Sequence, residues 1–130
     1  MRLRVFCDEQ GVDRDAEIDG LDDDAIQIVT LDRGKVIGTC RLRLTGEEGD
    51  ADRSCKLERL AIDKAHRGKG IGVAMLAKAD EEARREGAEE MIAHAQVQVR
   101  DFYERAGYSV RDETVFDEDG IDHVLMGKRL

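Results

Sequence analysis

The sequence predicts an α/β (α+β) domain built around one mixed sheet, and three observations carry that prediction. Stretches of period-two alternation rich in β-branched residues occur in both halves of the chain. A longer stretch between them places apolar residues at helical spacing and stops at a glycine. The elements then fall in the order helix, hairpin, strand, helix, strand, helix, hairpin, a mixture that suits a sheet flanked by helices. At 130 residues the natural reading is a single domain spanning 1–130. No repeat, linker or low-complexity tract divides it, and proline is absent.

Taken in order, RLRVFCDE (2–9) reads as a short helix and EQGVDRDAEIDGLDDD as a loop. AIQIVTL (25–31) alternates as a strand, and Asp32-Arg33-Gly34 turns it into KVIGTCRLRL (35–44), which makes a hairpin. TGEEGDADRS is a polar loop, and CKLERLAI (55–62) is a third strand. In IGVAMLAKADEEARREG (71–87), Ile71, Met75, Leu76, Ala79 and Ala83 share one helical face, and Gly87 ends the helix. EEMIAHA (89–95) is a strand, and VQVRDFYERAG (97–107) is a short helix closed by Gly107. YSVRD (108–112) and IDHVLMGKRL (121–130) are late strands joined by an acidic loop.

Composition narrows the function. Thirty Asp and Glu face twenty-one Lys and Arg, a formal net charge of −9. Acidic clusters such as Asp22-Asp23-Asp24 and Asp117-Glu118-Asp119 read as solvated loops. Such acidity is tolerable where salt screens it, with a Debye length of about 3 Å at 1 M, so a high-salt, halophilic cytoplasm is the expected setting. No extended basic face exists for nucleic acid. No run of about 18 apolar residues exists for a membrane span, and no secretion signal opens the chain. Cys7, Cys40 and Cys55 are odd in number and lack metal-like spacing. They are expected to be reduced, largely buried thiols of a cytoplasmic protein with no metal.

Against that acidity one stretch stands out. In HRGKGIG (66–72), with Lys64 just before it, basic residues crowd around three glycines between a strand and a helix. Helix N-terminal N–H groups lack partners inside the helix, and the dipole there favours an anion. Glycine allows close backbone approach. Together these predict a phosphate cradle. The spacing does not fit a nucleotide P-loop. It does not fit a dinucleotide fingerprint either, because the next strand offers no acidic residue for the ribose.

The spacing that it does match is [QR]-x-x-G-x-[GA], here Arg67-Gly68-Lys69-Gly70-Ile71-Gly72, which resembles the acyl-CoA loop of the GNAT acetyltransferases. RLAIDKAHRGKGIGVAML resembles the strand–loop–helix core of that superfamily, and FYERAGY (102–108) its next landmark. VFCDEQGVDRDAEIDGLDDDA, HAQ and GIDHVLM resemble its ElaA-like branch. The resemblance implies a mixed sheet splayed between its fourth and fifth strands, with the pantetheine arm of acetyl-CoA lying in the gap like an extra strand. It implies cofactor contacts from the backbone of Leu60, Ala61 and Ile62 and from the N–H groups of Arg67, Gly68, Lys69, Gly70, Ile71 and Gly72. Gln96 stands where many relatives carry an asparagine that touches the cofactor. Relatives begin with a strand before the first helix. Here the chain reads as starting inside that helix, so either the start is misplaced or the first strand is missing; if it is missing, the strand at 25–31 becomes an edge open to a homodimer.

The reaction implied is direct attack of an amine on an acyl thioester, with a small-molecule or peptide amine as partner. Backbone N–H groups near Leu60 to Ile62 suit the oxyanion. By resemblance Tyr103 is the acid for the departing thiolate, since a phenol is protonated at neutral pH. Candidate bases are Glu58, which alternates with Arg59 so that one of the two should face the cleft, and His123. Glu9 and Arg59 are candidates for the substrate side, Arg59 as a partner for a substrate carboxylate. His94 is expected to pack on its strand and His66 to tune the loop. The rival reading is a CoA-binding regulatory module without catalysis.

Overall fold

The computed structural model describes residues 25–46 and 53–130. The expected helix at 2–9, Glu9, Cys7, the Asp22–Asp24 cluster and the missing first strand all fall outside them. The elements are β1 Ile26–Asp32, β2 Lys35–Thr45, β3 Ser54–Ile62, α1 Ile71–Arg85, β4 Glu90–Gln96, α2 Arg100–Arg105, β5 Ser109–Glu118 and β6 Ile121–Arg129. The strands form one sheet in the order β1-β2-β3-β4-β6-β5. Among the described residues only β3 and β4 run parallel; every other neighbouring pair is antiparallel. Among the described residues β1 is therefore an edge strand.

The expected helical face of α1 is the buried one: Met75, Leu76, Ala79 and Ala83 pack over Leu42, Leu57, Met91 and Ala93 of the sheet. Each large apolar side chain fully buried there contributes about 1.5–3 kcal/mol. Small alanines let the helix sit close to the strands. Cys40 and Cys55 are free thiols within this core, and burial pushes both up to about 12. One polar pair crosses the layer: Lys128 Nζ donates to Asp80 Oδ2 at 2.6 Å and to the Ala106 carbonyl at 2.9 Å. It ties α1, β6 and the end of α2 together.

Two elements differ from expectation. The helix expected over 97–107 is one 3-10 turn at Val97–Val99 followed by the six-residue α2. The β-branched Val97 and Val99 disfavour a regular first turn. More consequentially, the acidic loop expected between the last strands is mostly strand. β5 runs on to Glu118, and only Asp119 and Gly120, both at positive φ (55° and 82°), make the turn. That two-residue geometry suits the twist of a hairpin, and Val115 and Phe116 have the β-propensity to extend the pairing.

Candidate active site

The site begins with a fault in β3. Thr39 of β2 pairs with Ala61 and Arg41 with Glu58, so β3 carries one more residue than β2 across that step. The excess is a β-bulge, and Arg59 there has φ 55°, the left-handed region that a non-glycine residue occupies only when its surroundings impose it. The bulge bends β3 away from β4. Their parallel pairing runs from Ser54↔Glu90 to Leu57↔Ala93 and stops. Beyond it Glu58–Ile62 and His94–Gln96 diverge, which is the expected splay, β3 and β4 corresponding to the fourth and fifth strands when the first strand of the relatives is counted. The gap opens a cavity of about 680 Å³.

The glycine turn closes one end of that cavity. After a 3-10 turn at Lys64–His66 the chain passes Gly68 (φ 80°) and Gly70 (φ 79°) into α1. No side chain caps the helix. The first bond within it is Ala74 N to the Gly70 carbonyl, 3.1 Å, which leaves the earlier N–H groups without helical acceptors. A Cβ at Gly68 or Gly70 would meet no atom within 4 Å, so the turn faces open space. Arg67 Nε donates to the Ile62 carbonyl at 3.0 Å and fastens the turn to the end of β3. His66 Nε2 lies 3.3 Å from Asp32, which braces it from β1. Gly72 answers to packing instead: a Cβ there would lie 2.8 Å from the Phe102 ring.

The structure brings the candidate residues together around this one cavity. Glu58, Arg59, Leu60, Ala61 and Ile62 line it from β3. Arg67, Gly68, Gly70, Ile71 and Gly72 line it from the turn. Gln96, Tyr103 and His123 line it opposite. Lys69 does not line it. The bulge breaks alternation, so Glu58 and Arg59 both border the gap rather than one of them.

Glu58 is not built as a base. Its side chain is 7% exposed and is clasped by Arg41, Arg43 and Lys56, with Arg41 Nε at 2.8 Å and Lys56 Nζ at 3.2 Å. Burial pushes its carboxyl up, but the hydrogen bonds from Arg43 and Arg41 and the nearby positive charges outweigh that and hold it at about 2. A carboxylate so stabilised takes up protons poorly. Tyr103 is 7% exposed, packed edge-on against Phe102 and Tyr108, and burial, with Cys40 adding, raises its phenol above the ordinary value. Its proton therefore stays on throughout the neutral range.

Three cavity residues escaped sequence reasoning in their real arrangement. Glu118 sits between two imidazoles, with Oε1 2.9 Å from His94 Nδ1 and Oε2 3.5 Å from His123 Nε2. His123 Nδ1 donates to the Ile121 carbonyl at 2.7 Å. Phe116 packs against both rings. His123 was visible as a titratable residue in GIDHVLM. Glu118 was hidden in an acidic run, and His94 looked like a strand residue.

The sheet is thus forked between two parallel strands, with an uncapped glycine turn at the fork's open end. The chain belongs to the GNAT acetyltransferases, since the family described as Acetyltransferase (GNAT) domain matches residues 4–130. It is similar to the uncharacterized N-acetyltransferase YjcF of Bacillus subtilis (strain 168), 36% identical over 98% of this chain and 87% of that one. Among solved structures it is similar to ElaA of Escherichia coli (26% identity, TM-score 0.82, covering 98% and 84% of the two chains). An acyl-CoA N-acyltransferase from Pseudomonas aeruginosa is comparably close (25%, TM-score 0.81, 98% and 84%).

Proposed function

We propose that the protein is an N-acetyltransferase that moves an acetyl group from acetyl-CoA to a primary amine by direct attack. One observation carries the reading: the end of β3, unpaired on its β4 side, and the open glycine turn border the same cavity. An extended arm of amides ending in phosphates needs those two features side by side. The backbone at Leu60, Ala61 and Ile62 would pair with the arm, and the N–H groups of Arg67 to Gly72 would hold the pyrophosphate. Gln96, whose Oε1 accepts from Gln98 at 2.9 Å, stands at the end of β4 to touch the arm from the other side. Acetyl-CoA supplies the acyl group. The chain supplies backbone donors aimed at the oxyanion and Tyr103 as a protonated donor toward the departing sulfur.

Calorimetry with CoA and with ATP, followed by thiol release from acetyl-CoA across a panel of primary amines, tests the reading. CoA binding with amine-dependent thiol release is expected. CoA binding without release from any amine would favour a regulatory CoA-binding module. Preference for ATP would overturn the cradle assignment.

A further inference from the structure

His94 is the first residue of β4 beyond the last β3–β4 pair, so it stands at the apex of the fork. Its register neighbours show which way it points. Along β4 the buried Met91, Ala93 and Ala95 share the face that α1 covers. His94 and Gln96 therefore point to the other face, as do His123, paired with Gln96, and Phe116, paired with His123. The cavity thus runs through the gap, with Gly72, Phe102 and Tyr103 on the helix side and His94, Glu118 and His123 on the opposite one.

The hydrogen bonding assigns the protons. Glu118 lies 2.9 Å from His94 Nδ1, and a carboxylate only accepts, so Nδ1 carries a hydrogen. In the neutral ring Nε2 then keeps its lone pair. No described residue bonds Nε2 of His94. Phe116 meets the ring edge-on at 5.1 Å and limits its rotation. The Glu118 carboxyl is held below the usual glutamate range, chiefly by the hydrogen bond from His94, so it stays anionic at neutral pH. Glu58, across the fork, has its charge already consumed by Arg41, Arg43 and Lys56. The other charged groups lining the cavity are Lys56 and Arg59 from β3, His66 and Arg67 from the glycine turn, His123 from β6 and Asp119 from the last turn; α1 presents none.

We propose that His94 is the proton acceptor of the reaction, that Glu118 is its positioning carboxylate, and that the substrates are amines that arrive protonated through the sheet face opposite α1. The proposal rests on the acetyl-transfer reading above. The alkylammonium gives one proton to Nε2 of His94. Its freed lone pair attacks the thioester carbonyl and forms the C–N bond. Collapse breaks the C–S bond, the amide nitrogen loses a second proton, and the thiolate leaves as the thiol with one proton. His94 returns its proton to solvent. The sum is thioester plus ammonium to amide, thiol and one proton.

The test compares two nucleophiles. The parent and His94→Gln are matched for melting temperature and CoA affinity, then assayed at neutral pH for thiol release from acetyl-CoA. One nucleophile is whichever of spermidine, tyramine and phenethylamine the parent turns over fastest. The other is hydroxylamine, which is largely unprotonated there and needs no base. With the alkylamine, kcat of His94→Gln should fall about 10²–10⁴-fold while KM changes little, and the rate with hydroxylamine should be largely kept. Glu118→Gln can still accept from Nδ1 but lacks the charge, so it should show the same selective loss to a smaller degree. Equal losses with both nucleophiles, or no loss with the alkylamine, would overturn the proposal, as would a parent active with hydroxylamine alone. A parent that binds CoA and acetylates neither nucleophile would overturn the transfer reading itself, an outcome separate from an active parent whose His94→Gln is equally active.

Discussion

Glu58 and Glu118 put the same side chain in two electrostatic settings within one cavity. Glu58 faces three cations and is held at about 2. Because its folded value lies below the ordinary 4.5, it adds stability that is fully present above the ordinary range and is lost as pH falls toward 2. At roughly 1.4 kcal/mol per unit, that contribution is about 3 kcal/mol at neutral pH. Glu58→Gln removes the carboxylate that the buried Arg41, 1% exposed, bonds, and breaking such a pair costs about 3–5 kcal/mol, a figure that includes this linkage contribution. The variant should therefore melt well below the parent at pH 7, and the difference should shrink as both are titrated from pH 5 toward 2. Tyr103 separates chemistry from packing. Tyr103→Phe keeps the ring contacts with Phe102 and Tyr108, so CoA affinity and Tm should change little while kcat falls about 10²–10⁴-fold. A joint fall in affinity and stability would make the residue a core aromatic only.

The strand–turn–helix unit, β3 to α1, divides its glycines by purpose. Gly70 sits at φ 79° with nothing near a Cβ, so Gly70→Ala should cost about 1–2 kcal/mol through the backbone alone. Gly72→Ala would push into the Phe102 ring at 2.8 Å. The ring edge can yield toward the cavity, so CoA affinity measured by calorimetry should drop more than Tm does. Reversal of that order between the two variants would reassign them. At this scale the sequence was legible where a pattern is local. Alternation placed β1, β2, β3 and β4 within about one residue of their ends, and helical spacing identified the buried face of α1. The glycine turn was readable because its chemistry lies within seven consecutive residues. The bulge was not: Arg59 carries no preference for positive φ, and the extra residue exists only relative to β2. Glu118 was lost for a related reason. Three acids in a row look solvated, and only the register of the last hairpin turns one of them inward toward His94 and His123.

At the level of the whole molecule, charge and shape lead to separate predictions. A net charge of −9 on 130 residues is self-repelling in dilute buffer, and screening relieves it. Tm should rise as KCl is taken from millimolar toward molar, and a flat or falling curve would remove the high-salt interpretation. CoA affinity in the same series should fall only modestly, because contact hydrogen bonds at the turn, not a long-range field, would hold the phosphates. Shape yields the other prediction. A sheet forked by one surplus residue is an incompletely folded sheet: the amides of Glu58–Ile62 on the β4 side lack the ladder that protects their neighbours at Ser54–Leu57. A ligand that lies there as a strand would finish the folding, and binding would be read as a clock. Hydrogen–deuterium exchange at 58–62 and 94–96 should slow when CoA is added, with little change at 54–57. Unfolding should require about 2.7 kcal/mol more at a hundredfold excess over Kd. Deleting Arg59 would let β3 and β4 zip closed, giving a protein with slow exchange along the whole strand, a higher melting temperature and no room for its ligand.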